Sequence, residues 1–197
     1  MELNNPIIVA VTGASGVVLG YKTVQALLEK DEDVIFICSS AGRMVWKDEQ
    51  LPSFGETIEK WDSSGKFKMY SNGDFYSPIA SGSYKTKAMI IVPTSMNTVS
   101  AISNGITDNL IKRAADVMIK EKRDLILVPR ETPLSALHLN NMAKLANLGV
   151  KILPPNPPYY LFPKTIDDIN DYMIKKIMVA TGILKQLPDN YVYKDNK

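Results

Sequence analysis

The chain has 197 residues, 45% of them hydrophobic and 22% charged, and carries a formal net charge of +2. Charge this close to balance, without a basic stripe or an aromatic-interleaved Lys/Arg run, argues against nucleic acid as partner. The lone Cys38 rules out an internal disulfide framework or a Cys-rich metal site and fits a reducing compartment, and no apolar run approaches the roughly 20 residues needed to span a bilayer.

Residues 1–5 lack a basic targeting region, so the expectation is a cytoplasmic protein, not membrane-bound, of one domain with a sizeable core. Residues 6–12 form a nearly continuous apolar run, the pattern of a parallel strand covered on both faces. It ends in Gly13-Ala14-Ser15-Gly16, and residues 17–30 read as a helix. That order aims backbone N–H groups and a positive helix end at an anion, and Ser15 adds a hydroxyl. Gly13, Gly16 and Gly20 are not spaced as G-x-G-x-x-G and the Walker Gly-Lys-Ser/Thr is absent, which favours a mononucleotide over NAD or ATP. A tight βα turn with no ligand is the alternative. Residues 33–38 give a second strand that stops at Ser39-Ser40. The helix at 41–48 brings Glu49 to its far end, where it reads as a solvated terminus. Periodicity fails between residues 51 and 80, which predicts a lid or an inter-subunit segment. This stretch contains Asp74-Phe75-Tyr76 and leads into Ala80-Ser81-Gly82-Ser83, small enough to let a ligand approach the backbone.

The strand at 88–93 runs into Thr94-Ser95-Met96-Asn97-Thr98 and a short helix at 99–103, either a second anion- or ring-binding helix start or ordinary N-capping. Ser15, Ser39 and Ser95 each follow a strand at one edge of the inferred sheet. The helix at 108–121 puts Arg113, Asp116 and Lys120 on one face. They read as a salt-bridge ladder, or as two cations leading to a phosphate with Arg130 completing a cationic cup. A buried strand at 125–129 delivers Arg130 and Glu131 to its carboxyl end, where open α/β sheets bind ligands. A helix at 135–148 follows, with Leu137, Met142, Leu145 and Leu148 near one face. The single histidine, His138, reads as a helix residue without a role. A strand at 150–153 breaks at Pro154-Pro155-Asn156-Pro157-Pro158 and presents Tyr159 and Tyr160. The last helix opens on the capping box Thr165 to Asp168, turns Ile166, Ile169, Met173 and Ile177 inward, and carries Lys175 and Lys176. One domain is therefore expected over residues 1–185, with a polar tail at 186–197.

Several segments together resemble the UbiX/Pad1-type flavin prenyltransferases. They are Thr12-Gly13-Ala14-Ser15-Gly16, Ala80-Ser81-Gly82-Ser83, Arg113-Ala114-Ala115-Asp116-Val117, Lys120-Glu121, Val128-Pro129-Arg130-Glu131-Thr132-Pro133, His138-Leu139, and Leu153-Pro154-Pro155 followed by Tyr160. The likeness spans residues 6–183. It implies a single-domain Rossmann-like, flavodoxin-like three-layer α/β sandwich with a mostly parallel sheet, assembled as a dodecamer with sites between subunits. The implied reaction moves a dimethylallyl group from dimethylallyl phosphate to reduced FMN, without a metal, and the product serves a UbiD-type decarboxylase. Carried over by position, FMN would meet Gly13, Ala14, Ser15, Ser39, Ser95, Met96, Asn97, Thr98 and Arg130. The phosphate would meet Ser15, Arg113, Lys120, Arg130, Tyr160 and Lys176. Glu49 and Glu131 match acidic site positions, Glu131 as a proton shuttle, and Phe75 flanks the prenyl chain.

Three positions depart from that pattern. Phe75 replaces a tryptophan, Lys176 stands where many members have arginine, and Asn97 stands where many have lysine or a small residue. Pro93-Thr94-Ser95-Met96-Asn97-Thr98 is instead similar to the Pro-x-Ser-x-Asn-Thr motif of flavin-containing cysteine decarboxylases. Those enzymes use a histidine soon after the first helix begins, which this chain lacks. A flavin-binding carrier without chemistry is a third reading. The motifs leave open whether the donor is a monophosphate or a diphosphate, and whether ubiquinone biosynthesis or aromatic acid detoxification is served.

Overall fold

The computed structural model describes residues 3–193. Six strands, β1 (Ile7–Val11), β2 (Val34–Cys38), β3 (Phe67–Tyr70), β4 (Ala88–Thr94), β5 (Asp124–Pro129) and β6 (Lys151–Ile152), form one sheet in the order β3-β2-β1-β4-β5-β6. Every pairing is parallel, with Val9 opposite Phe36 on one side and Ile90 on the other. The helices are α1 (Val17–Glu29), α2 (Ser40–Asp48), α3 (Phe54–Asp62), α4 (Met96–Ser103), α5 (Leu110–Lys120), α6 (Ala136–Asn147) and α7 (Ile166–Ala180).

Alternation along β1 sorts them into layers. Ile7, Val9 and Val11 pack with Val24 and Leu27 of α1, Trp46 of α2, Trp61 of α3 and Ile177 of α7. Ile8 and Ala10 pack with Val99 of α4, Ala114 and Met118 of α5 and Leu145 of α6. Both faces of the sheet are thus covered, which is why β1, β2 and β4 read as unbroken apolar runs. The expected three-layer sandwich is present, and its sheet is parallel throughout. Close helix-to-strand packing explains two glycines of the first motif. A Cβ on Gly13 would lie 2.5 Å from Ala41 Cβ, and one on Gly20 would lie 2.6 Å from the Val92 carbonyl oxygen.

Three expectations change. Residues 51–80 are not irregular throughout, because α3 and β3 lie within them. In α3 the apolar stripe is only Phe54, Ile58 and Trp61, of which Trp61 alone is fully buried, and β3 has just four residues, so neither pattern is long enough to stand out. What orders them is an aromatic cluster: Trp61 packs 5.6 Å from Phe36 and 5.4 Å from Phe67, centroid to centroid. Contacts of this kind contribute beyond their buried area. In α6, Met142 and Leu145 are buried while Leu137 is 65% and Leu148 is 57% exposed. Its neighbour β6 has only two residues, so the sheet ends before it can cover a full stripe. Ile166 opens α7 in an exposed first turn, while Met173 and Ile177 turn inward as expected.

The tail bends through a short turn at Asp189–Tyr191, and Tyr191 and Tyr193 pack on Tyr172 and Tyr160. Residues 194–197 of the expected tail lie outside the described residues. Among the described residues no helix is long and apolar enough to cross a membrane.

Candidate functional site

Because all six strands run the same way, the segments after β1, β2, β4 and β5 emerge at one edge of the sheet. Ser15, Ser39, Ser95 and Arg130 therefore share the carboxyl edge, as the sequence predicted. Thr12 links two of these segments: its hydroxyl donates to the Pro93 carbonyl at 2.8 Å and accepts from the Ser95 N–H at 2.8 Å. Thr94 ties the next pair, accepting from the Val128 N–H at 3.0 Å. Neither bridging threonine stood out in the sequence beyond its place at a strand end.

The start of α1 is not an open anion site. Its N-cap Gly16 has φ 99° and supplies no side-chain cap. Glu49, arriving from the end of α2, caps the helix instead. One carboxylate oxygen accepts from the Gly16 N–H at 2.6 Å and the Ser15 hydroxyl at 3.1 Å, and the other accepts from the Val18 N–H at 3.0 Å. The reading of Glu49 as a solvated terminus is therefore wrong. A carboxylate satisfies helix-start donors that nothing in the helix can. The contact crosses more than 30 residues of chain, so local sequence could not reveal it.

Ser39 and Ser95 make the ordinary caps weighed as an alternative. Ser39 Oγ accepts from the Gly42 N–H at 3.0 Å, and Ser95 Oγ accepts from the Thr98 N–H at 3.3 Å. In α4 the N–H groups of Met96 and Asn97 come before the point where a helix provides its own acceptor, and Asn97 is exposed. This helix start, like that of α2 at Ser40 and Ala41, leaves N–H groups for an incoming acceptor. After β5, Arg130, Glu131, Thr132 and Leu134 line a cavity of about 400 Å³ with Met142 and Asn156. Glu131 accepts from the Thr132 N–H at 3.0 Å, and Arg130 is exposed and makes no ion pair among the described residues. Phe75, half-exposed, lies in the segment after β3, close in sequence to Ser77, whose buried hydroxyl has no partner among the described residues. A bound molecule or water is what ordinarily satisfies such a group.

The cationic cup is only partly assembled within one copy. Ala114, Ala115, Val117 and Met118 bury one face of α5, so Arg113, Asp116 and Lys120 look outward. Arg113 Nε donates to the Ala80 carbonyl at 2.9 Å and its guanidinium pairs with Asp116 at 2.9 Å. Lys120 does not extend that ladder but pairs with Glu121 at 2.6 Å. It also ends α5, which must return the chain to the amino edge before a parallel strand can start. Lys120 therefore lies near the start of β5 and Arg130 beyond its end, separated by the strand's length, about 17 Å at about 3.3 Å per residue. Helical spacing fixed which face the cations share and could not say which edge of the sheet they reach.

Tyr160 is half-exposed, with its hydroxyl 3.4 Å from that of Tyr172 and its ring 5.9 Å from Tyr193. Burial raises the Tyr172 phenol to about 12, with the Tyr160 hydroxyl adding to the shift. Tyr172 carried no signal in the sequence. Lys176 is half-buried on α7. His138 caps its own helix, its Nδ1 accepting from the Ser135 N–H at 3.3 Å. Burial pushes the Cys38 thiol up to about 12.

Residues 1–178 match the family model described as Flavoprotein. The chain is 42% identical to the flavin prenyltransferase UbiX of Halalkalibacterium halodurans, over 91% of this chain and 89% of that one. The solved structure of AnUbiX (PadA1) in complex with FMN and dimethylallyl pyrophosphate superimposes with a TM-score of 0.87 at 32% identity, covering 98% of this chain and 99% of that one. A dodecameric FMN-dependent UbiX-like decarboxylase from Escherichia coli O157:H7 gives a TM-score of 0.83 at 37% identity, covering 90% and 94%. A peptidyl-cysteine decarboxylase, EpiD, reaches 0.56 at 19% identity, a likeness of fold alone. The chain belongs to the flavoprotein family, among its UbiX-type flavin prenyltransferases.

Proposed function

We propose that the protein transfers a dimethylallyl group from its phosphate ester to reduced FMN, at a site completed between copies of the chain. The observation behind this reading is the split of the phosphate-binding cations. Arg130 and Glu131 line a cavity at the carboxyl edge, while Arg113 and Lys120 look outward from α5. A single copy cannot close all of these around one phosphate, and a second can. Leu134 and Leu137, exposed beside the same mouth, provide apolar surface for the neighbour to cover. The dodecameric relative shows that a chain of this kind assembles, and a dodecamer is the assembly proposed here.

The residues present fit a flavin mononucleotide. The α4 start and the Arg130 guanidinium offer donors to an anion, and the small residues Gly13, Ala14, Ser15 and Ser39 leave room for a planar ring. Asn97 and Thr98 continue the same rim, with Ser95 and Met96 before them. When bound, reduced FMN supplies the nucleophilic nitrogen and ring carbon. On the donor, breaking the allylic C–O bond sends phosphate into the fixed positive charge of Arg113, Lys120, Arg130 and Lys176, with the Tyr160 hydroxyl as a further donor, joined by that of Ser15 when it turns from Glu49. Glu131 takes up the proton released where the new C–N bond forms and passes it to the departing phosphate, and the Phe75 ring faces the allylic cation. Glu49 works through Ser15, whose hydroxyl it holds. The prenylated flavin then goes to a UbiD-type decarboxylase. The cysteine decarboxylase reading has Asn97 behind it but no histidine near the start of α1.

The test mixes Lys120→Ala and Arg130→Ala proteins, dissociated and reassembled together, with FMN, reductant and dimethylallyl monophosphate under anaerobic conditions. Flavin product is weighed by mass spectrometry. Each variant alone should yield almost none, and the mixture should recover about a quarter of wild-type turnover, from sites that drew both intact residues. No gain on mixing would show that Lys120 and Arg130 serve the same copy's site. No prenylated flavin from the wild type would end the reading altogether.

A further inference from the structure

The half-exposed Lys120–Glu121 pair lies over the small-residue loop at 80–83. A Cβ on Gly82 would lie 2.2 Å from Glu121 Oε1 and 2.8 Å from Lys120 Nζ, so the pair rests on bare backbone. The small-residue loop at 80–83 thus makes room for the chain's own ion pair. Arg123 pins that loop from beneath, donating to the Gly82 carbonyl at 2.7 Å and the Tyr84 carbonyl at 2.8 Å. The hydrogen bond and charge of Lys120, with Arg123 nearby, hold the Glu121 carboxyl below its ordinary range. Lys120 therefore arrives at the phosphate already matched by a negative charge.

We infer that Glu121 is a specificity-determining residue: by cancelling Lys120 it lowers the cup's positive charge by one unit and tunes the site towards a monophosphate donor over a diphosphate. This rests on the proposal that Lys120 meets the donor phosphate. Glu121 acts through Lys120 and need not touch the donor, so it is a positioning residue. Its removal strengthens the pull on any phosphate, and most on the ester with the extra negative charge. Arg113 comes to the same phosphate paired in the same way with Asp116.

Steady-state constants for dimethylallyl monophosphate and diphosphate should be measured in wild type, Glu121→Gln, Glu121→Asp and Lys120→Ala, with calorimetric binding of inorganic phosphate and pyrophosphate alongside. In Glu121→Gln the preference for diphosphate over monophosphate should rise about fivefold, the size of effect expected for a half-exposed ion pair. The change should fall in KM and appear equally in the pyrophosphate to phosphate binding ratio. Glu121→Asp, which keeps the charge, should stay within about twofold of wild type on that scale. If Lys120→Ala weakens both donors while Glu121→Gln leaves the ratio unmoved, the inference falls and the Lys120 assignment stands. Donor binding untouched by Lys120→Ala would remove both. A Glu121→Asp ratio equal to that of Glu121→Gln would trace the effect to side-chain shape and overturn the charge argument.

Discussion

Replacing Glu49 with alanine tests whether α1 depends on a carboxylate borrowed from α2. The side chain accepts three hydrogen bonds, two from N–H groups at the helix start and one from Ser15. Gly16 offers no side-chain cap in its place. Loss of an N-cap costs about 1 kcal/mol, and leaving a half-buried donor without its charged acceptor adds about 1 kcal/mol more. For a chain of this size about 2 kcal/mol corresponds to a Tm lower by roughly 4–8 °C. Glu49→Gln keeps one acceptor oxygen and loses the charge that favours a helix start, worth about 0.3–1 kcal/mol, so its Tm should fall between the two. The assay is thermal unfolding of the flavin-free protein at fixed protein concentration, since assembly also shifts Tm, with hydrogen exchange followed at the Gly16 and Val18 amides. Both amides should exchange faster in Glu49→Ala. A Tm within about 1 °C of wild type, with exchange at both amides unchanged, would refute the capping argument.

Two further outcomes follow from other parts of the molecule. Glu131→Gln should keep FMN binding within about twofold and slow single-turnover prenyl transfer by about 10²-fold, the usual size of a proton-transfer contribution; an unchanged rate would remove Glu131 from the chemistry. Asp168 accepts from the Lys164 N–H at 2.8 Å and the Thr165 N–H at 2.9 Å, and these backbone bonds hold its carboxyl below the usual range. A depressed carboxyl gives stability that is present above its unfolded pKa, about 3.9, and is lost as pH falls through the lower folded value. Asp168→Asn should therefore show a shallower acid limb in its Tm against pH profile, and an identical slope would contradict the assignment.

How much of this was legible from sequence depended on whether the deciding contact was local. β1, β2, β4 and β5 were readable because strands covered on both faces must be apolar at every position. Thr165 and Asp168 announced their capping box because both partners lie within one turn. By contrast, α3 and β3 are short and are held by Trp61 and Phe67 against Phe36, a contact between distant segments that their few apolar positions do not announce. Arg130 and Glu131 were placed correctly because they follow a strand whose direction the fold dictates. Helical spacing showed that Lys120 shares a face with Arg113 but not that, within one copy, it lies at the opposite edge of the sheet from Arg130.

The same geometry ties assembly to chemistry. Leu134 and Leu137 are exposed at the start of α6 and its approach, and Leu134 also lines the cavity that holds Arg130. Clustered apolar surface beside a cavity marks a place where a partner gains by covering it. A neighbour seated over that mouth would shield these leucines, exclude water from the cavity and bring its own outward-facing α5 cations within reach of the phosphate. Excluding water strengthens each charge interaction at the mouth. On this reading a lone copy has a correctly built strand edge and an incomplete phosphate site, so the assembled state and the active state are one and the same.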